Sequence, residues 1–177
     1  MKTPRSKVIR SAIIALLIGG VYAAPMPTTV EIVPVGSDSS DTERLIGNVR
    51  VRFADGHSEL WTRQGRCLLA KVTKNGLIGW TRFGERNRRG VPVNDSIRLM
   101  VSTEHWVDFR SGYPFIDDWD TSADGAALIV RSGFAHGPFR FERFDLRTQK
   151  LLEQTTEKPY AELPAWARPL ATDQPKP

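Results

Sequence analysis

From residue 46 onward, the apolar residues of this chain recur at every second position, and this spacing constrains the fold more than any other feature of the sequence. Val49, Val51 and Phe53, for example, alternate with two arginines. Because successive side chains of a strand point to opposite faces of a sheet, the pattern predicts strands that bury one face. The 3.6-residue period of a long amphipathic helix does not occur in this part. The sequence therefore predicts an all-β fold of antiparallel strands and hairpins.

Glycine-containing turns separate the predicted strands. Asn75-Gly76 is a strong hairpin signal, because glycine accepts the positive φ that tight turns require, and we expect a type I′ turn there. Gly56 and Gly125 mark two further turns. A loop is predicted over 84–95. The predicted strands cover residues 49–53, 58–62, 67–72, 77–83, 96–101, 105–109, 115–120, 126–130, 139–146 and 151–152.

Two predicted strands depart from simple alternation. Residues 126–130 are continuously apolar, which indicates a strand buried on both faces. Farther on, the alternation changes phase between Phe141 and Phe144. A β-bulge near Glu142 or Arg143 would account for this change.

The first 23 residues have the plan of a cleavable secretory signal peptide. Four basic residues in the first ten precede an apolar run over 11–24, which is shorter than the roughly 18 residues of a membrane-spanning helix. Val21 and Ala23 are small residues at positions that favour cleavage after Ala23, and retention of the leader as an anchor is the alternative. The predicted location is therefore periplasmic or secreted. Membrane contact is expected only through the leader before cleavage.

Removal of the leader changes the charge of the protein. The whole chain has 25 Lys and Arg against 20 Asp and Glu, a net charge of +5. Because four of the basic residues lie in the leader, the remainder has 21 against 20 and a net charge of +1. A nucleic-acid-binding protein needs a basic surface, so this class of partner is not expected. Four arginines (82, 86, 88 and 89) and four aspartates (117, 118, 120 and 124) are interpreted as solvated loops, with a ligand patch as the alternative.

The sequence predicts no metal or other cofactor. The three histidines are dispersed, without ligand spacing to a second His or to Cys. Alternating oxygen-bearing residues at 118, 120, 122 and 124 resemble the start of a calcium loop, but the glutamate that would complete it is missing. We therefore expect Asp124 to bind nearby backbone N–H groups instead. Cys67 opens an apolar run and is expected to be buried, with pairing between chains as the alternative.

The composition, 40% hydrophobic and 25% charged, is that of one globular domain, which we assign to residues 46–157. Residues 24–45 are predicted to form an arm whose 28–35 segment is an edge strand or loosely held. Residues 158–177 include five prolines and are predicted to be a flexible tail. In the alternative, aromatic and apolar residues of this tail pack on the domain or bind a partner.

Two segments, 74–80 (Lys-Asn-Gly-Leu-Ile-Gly-Trp) and 122–130 (Ser-Ala-Asp-Gly-Ala-Ala-Leu-Ile-Val), resemble the repeat unit of exported β-propellers related to the periplasmic translocation component TolB. Residues 46–155 also resemble short exported bacterial proteins of unknown function, through the stretches 116–119 and 135–138. The resemblance implies propeller blades, of which about 110 residues hold two or three. We therefore expect a small blade-like sandwich, or a partial propeller that several chains complete.

Aromatic residues are the strongest functional signal. Trp106 and Tyr113 are accompanied by Asp108, Asp117 and Asp118, and rings beside carboxylates are typical of carbohydrate and peptide sites. Filling of a thin β core is the alternative role, and it is favoured for Trp80 and Trp119. The usual catalytic and phosphate-binding motifs are missing. We therefore predict a non-catalytic binding module of the cell envelope, whose partner is a protein or glycan. The alternative is an envelope hydrolase with an unrecognised site.

Overall fold

The computed structural model describes residues 27–35, 46–84, 93–102 and 105–172, so the predicted leader and its cleavage point lie outside the described residues. No helix in these ranges is long and apolar enough to span a bilayer. Within them the chain forms eleven strands and two short 3₁₀ helices, η1 (Tyr160–Glu162) and η2 (Arg168–Leu170). The strands are β1 (Pro27–Pro34), β2 (Gly47–Phe53), β3 (Ser58–Leu60), β4 (Cys67–Val72), β5 (Ile78–Arg82), β6 (Ser96–Ser102), β7 (His105–Arg110), β8 (Phe115–Thr121), β9 (Ala127–Gly133), β10 (Arg140–Asp145) and β11 (Leu151–Thr156).

The described strands form two antiparallel sheets, which confirms the all-β prediction. The first sheet has the order β1-β2-β4-β5-β6-β7, with β3 paired to β2. The second has the order β11-β10-β9-β8. β1 pairs only with β2 and is an edge strand, as one reading of the 28–35 segment predicted.

The two sheets pack face to face across a shared hydrophobic core. Ile97, Leu99, Val107 and Phe109 of the first sheet belong to one buried cluster with Trp119 and its neighbours on the second. Trp119 is fully buried, as the core interpretation predicted. The architecture is therefore a sandwich in which β6 and β7 present alternate residues to the second sheet.

The predicted flexible tail is wrong for residues 158–172, which cover the outer face of the second sheet. Leu163 and Leu170 are buried there with Ile129 of β9 and Phe141 of β10. Arg131 donates a 2.5 Å hydrogen bond to the Leu170 carbonyl. Prolines prevented a regular helix, but the apolar residues between them still bury themselves in two short turns. This cover also explains why the apolar part of β9 is buried on both faces.

The β-bulge predicted near Arg143 is present as a register shift, and both faces of β10 are also apolar. A register shift does occur between Arg143 and Phe144, but only toward β11, whereas pairing with β9 is continuous. Phe141 packs under the C-terminal segment and Phe144 packs between the sheets, so both faces of β10 are buried. The change of phase therefore arises because one face of β10 packs between the sheets and the other packs under the C-terminal segment. A bulge alone does not explain it.

The Asn75-Gly76 turn is a three-residue loop, so the expected type I′ turn is wrong. Gly76 has φ +77° as predicted, but Asn75 does not have the positive φ that type I′ requires. The Gly76 N–H donates to the Thr73 carbonyl at 2.9 Å, and the Thr73 N–H donates to the Leu77 carbonyl at 2.8 Å. This pattern is a type I turn followed by a glycine bulge. The hairpin it closes, β4–β5, is present as predicted.

Candidate ligand-binding site

An aromatic groove of about 590 Å³ lies on the face of the first sheet opposite the interface core. Strand alternation places it there, because Arg98 and Met100 alternate on β6 with the core residues Ile97 and Leu99. Antiparallel pairing then sets Trp106 of β7 beside Met100. The lining consists of Pro27, Phe53, His57, Glu59, Trp61, Thr62, Trp80, Arg98, Met100 and Trp106.

Three tryptophans from distant parts of the chain line this groove. The ring centroids of Trp61 and Trp106 are 5.1 Å apart with an interplanar angle of 88°. Those of Trp80 and Trp106 are 5.2 Å apart at 64°. Such edge-to-face contacts leave no space for a ligand between the rings, but they hold each ring rigidly. The exposed parts of the rings are therefore a preformed apolar surface.

Exposure differs sharply among these tryptophans. Trp80 is 2% exposed, as expected for a core residue, whereas Trp106 keeps 36% of its surface in solvent. Trp61 is half-buried, with an exposure between those of Trp80 and Trp106. The Trp80 indole N–H is buried and has no hydrogen-bond partner among the described residues. Trp106 is thus the most exposed of the three rings, and it packs edge-to-face on Trp80.

The polar residues of the groove bind one another. Glu59 accepts a 2.9 Å hydrogen bond from the Trp61 indole, and its other oxygen lies 3.5 Å from His57 Nε2. Thr62 Oγ1 accepts a 2.8 Å hydrogen bond from a backbone N–H of β2 and a longer one from the thiol of Cys67. Cys67 is buried as predicted, and burial raises the pKa of its thiol. The side chains therefore hold the rings in position.

Two ion pairs lie at the groove, and each contributes one lining residue, Arg98 or His57. Arg98 donates to both oxygens of Asp108, at 2.8 and 2.7 Å, and this bidentate pair lowers the pKa of Asp108 and raises that of Arg98. On the other side, His57 stacks on Phe53 at 4.3 Å and its Nδ1 lies 2.5 Å from an oxygen of Asp55. The hydrogen bond raises the pKa of His57 and lowers that of Asp55.

The five residues predicted as a binding surface are divided among separate places. Trp106 and Asp108 lie on the same face of β7, at or beside the groove. Tyr113 follows the other end of β7, about 13 Å or more along the chain from Trp106 at the usual rise of a strand. Its ring is half-buried, 5.6 Å from that of Phe134 and under the guanidinium of Arg140. Tyr113 is therefore part of a different surface.

The remaining two predicted residues belong to β8. Asp117 forms an ion pair with Arg131, the residue that also holds the C-terminal segment. Asp118 accepts a 2.6 Å hydrogen bond from Lys71, whose ammonium lies over the ring of Trp119. Both carboxylates tie parts of the sandwich together. The prediction of one surface containing all five residues is corrected accordingly.

The groove's other members, above all Trp61, His57 and Glu59, were not predicted from the sequence. Their contribution depends on β3 folding back on β2 and on the segment after β3, where the Trp61 N–H donates to the Val49 carbonyl at 2.8 Å. The Glu59-x-Trp61 spacing was the one sequence signal of this part of the groove, because it places both side chains on one face of an extended chain.

The other chemical groups of the described residues serve local structure. No cluster of three or more potential metal ligands occurs among them. In the acidic repeat, Asp124 accepts a 3.0 Å hydrogen bond from the Ala126 N–H, as predicted. Glu142 is buried between the sheets and accepts hydrogen bonds from Ser111, Ser132 and the Gly112 N–H. This carboxylate joins β10 to the segment between β7 and β8.

Comparison with known proteins finds no family model that matches this chain and no curated protein that matches it significantly.

Proposed function

We propose that the protein is an exported, non-catalytic binding module of the cell envelope, and that its ligand binds in the tryptophan groove. The observation that carries the proposal is Trp106, an exposed ring packed edge-to-face on two other tryptophans in a concave site. Rigid aromatic rings supply large contact area at little entropic cost, which is why they anchor interfaces. A volume of about 590 Å³ is within the range of small-ligand and peptide sites.

The export part of the proposal rests on the amino-terminal leader. N-terminal sequencing of the protein from the envelope fraction should begin at Ala24. A chain that still begins at Met1 and stays embedded in the membrane would contradict this part.

The order of the strands supports a blade-like organisation, which we propose on the basis of the TolB-type resemblance. Strands β4 to β7 are consecutive neighbours in the first sheet, and β8 to β11 are consecutive neighbours in the second. Propeller blades are four-stranded antiparallel sheets of this kind. Measurement of the molecular mass in solution distinguishes a self-contained sandwich from a ring that several copies complete.

Two variants test the binding site. Trp106→Ala should lower the free energy of unfolding by about 1 kcal/mol, because the ring is partly exposed and loses mainly edge-to-face contacts. Phe134→Ala is the matched control, since Phe134 is 63% exposed and belongs to the other surface. Both variants should therefore remain folded.

The indole ¹H–¹⁵N signals of the tryptophans report on binding directly. Titration with the soluble fraction of the envelope should shift the signals of Trp61, Trp80 and Trp106, while that of the buried Trp119 stays in place. Trp106→Ala should remove the response and Phe134→Ala should keep it. The proposal would be contradicted if the indole signals of the groove did not shift. It would also be contradicted if Trp106→Ala lowered the free energy of unfolding by about 3–5 kcal/mol, as expected for a core aromatic.

A further inference from the structure

Most polar side chains of the tryptophan groove already have partners within the protein, and this limits the ligands that it accepts. Arg98 donates hydrogen bonds to both carboxylate oxygens of Asp108. Glu59 accepts a hydrogen bond from the Trp61 indole and lies beside the His57 ring. A sugar presents many hydroxyl groups, and each one buried without a partner is unfavourable. The groove therefore suits a ligand that is apolar and needs few hydrogen bonds.

Proline-rich peptide is the ligand class with these properties. Its prolyl rings pack on aromatic surfaces, and its tertiary amides have no N–H that requires an acceptor. Such a segment also holds an extended helix before it binds, so little conformational entropy is lost. Aromatic grooves on small domains bind proline-rich segments for these reasons.

One feature of the groove matches this chemistry. Pro27, at the start of β1, already lines it, so one prolyl ring lies in the aromatic site as part of the protein itself.

Charge at one end of the groove indicates the flanking residue. Asp55 and Glu59 present exposed carboxylates around His57, with side chains 52% and 54% exposed. The arginines at the other end are engaged by Asp108. Because these two carboxylates face at most one positive charge, that of His57, a basic side chain next to the proline-rich stretch would be attracted to them.

We propose that the tryptophan groove binds an extended proline-rich peptide segment of a partner protein, with a lysine or arginine at one end. The proposal rests on the proposed function and names its ligand class. Trp106 provides the main stacking surface, and Glu59 selects the basic residue.

Three soluble probes test the proposal: acetyl-(Pro)₆-Lys-amide, acetyl-(Gly-Ser)₃-Lys-amide and the tetramer of N-acetylglucosamine. Binding is followed by calorimetry and by the indole NMR signals of the purified protein. We expect the proline peptide to shift the signals of Trp61, Trp80 and Trp106 and to bind at least tenfold more tightly than the other two. Trp106→Ala should weaken it at least tenfold and Phe134→Ala less than twofold.

A fourth probe, acetyl-(Pro)₆-Gln-amide, isolates the role of the basic residue. The protein should prefer the lysine peptide over it severalfold, and Glu59→Gln should reduce that preference without abolishing the binding of either peptide. Equal binding of the two peptides overturns the selection by Glu59. Equal or weaker binding of the proline peptide than of the Gly-Ser peptide overturns the ligand class.

The outcomes also separate this proposal from the broader one. Groove signals that move only with the oligosaccharide overturn the peptide ligand but leave the binding function in place. Probes that all leave the signals unmoved overturn the peptide ligand, and the titration with the envelope fraction then decides the function by itself.

Discussion

The indole N–H of Trp119 donates a 3.0 Å hydrogen bond to the backbone carbonyl of Leu69 and so joins the second sheet to the first. Leu69 has φ +50° at a register shift in β4, an unfavourable conformation for a residue with a side chain. Gly79 of β5 provides the space beside the ring, because a Cβ there would lie 2.8 Å from Trp119 Cη2. The sandwich therefore contains a slot shaped for one tryptophan.

Replacing Trp119 with phenylalanine should lower the free energy of unfolding by about 2–4 kcal/mol. The smaller ring leaves a cavity between the sheets, and the Leu69 carbonyl loses its donor. Urea denaturation of the parent and the variant measures the difference. An unchanged midpoint would mean that this contact does not hold the sheets together.

The turn at Gly76 offers a test of backbone strain alone. Gly76→Val should destabilise the protein by roughly 1–2 kcal/mol, because valine disfavours the positive φ of this residue. No heavy atom lies within 4 Å of the Cβ position, so steric collision does not contribute. Gly76→Asn is the control and should cost less, since asparagine tolerates this conformation better. Equal melting temperatures for parent and valine variant would contradict the assigned turn.

The Asp55–His57 pair predicts a pH dependence at the edge of the groove. The raised pKa of His57 means that its stabilising effect is complete below the pKa of unfolded histidine and disappears as the pH rises through the folded value. The lowered pKa of Asp55 means that its effect is complete above the pKa of unfolded aspartate and disappears as the pH falls through the folded value. The pair is therefore strongest between the ordinary pKa values of the two residues.

NMR titration of the His57 ring measures this effect. We expect its midpoint above that of an unperturbed histidine, and Asp55→Asn should bring it down because the hydrogen-bonding carboxylate is removed. If the midpoint were the same in both proteins, Asp55 would not be the cause of the shift.

The docked C-terminal segment should contribute directly to stability. Leu163→Ala is expected to lower the free energy of unfolding by about 2–4 kcal/mol, since Leu163 is 2% exposed in the cluster around Ile129 and Phe141. Leu152→Ala, on the exposed edge of β11, should change it by less than about 0.5 kcal/mol. Similar melting curves for these two variants would favour the flexible tail predicted from the prolines.

The local pattern of the chain was sufficient to predict most of the strands. Alternation in Val49, Val51 and Phe53 marked β2, and Gly76 marked the hairpin that follows β4, because both signals act between residues close in sequence. The prediction of a type I′ turn was wrong because an Asn-Gly pair does not specify the length of the loop. The prediction of a flexible tail was wrong because proline content indicates only that regular secondary structure is missing. Whether the segment packs on the domain depends on the burial of its apolar residues, which is a separate property.

The groove was decided by tertiary structure. The sequence by itself determined that Trp106 lies on a strand face opposite Val107, and it predicted Trp106 as the anchor of a binding site. Its neighbours Trp80 and Trp61 lie 26 and 45 residues earlier in the chain, and no local pattern specifies such contacts. The partners of Asp117 and Asp118, Arg131 and Lys71, were likewise set by which strands meet. Alternation determines the face of the sheet on which a side chain lies, whereas the residues that it contacts depend on the packing of distant strands.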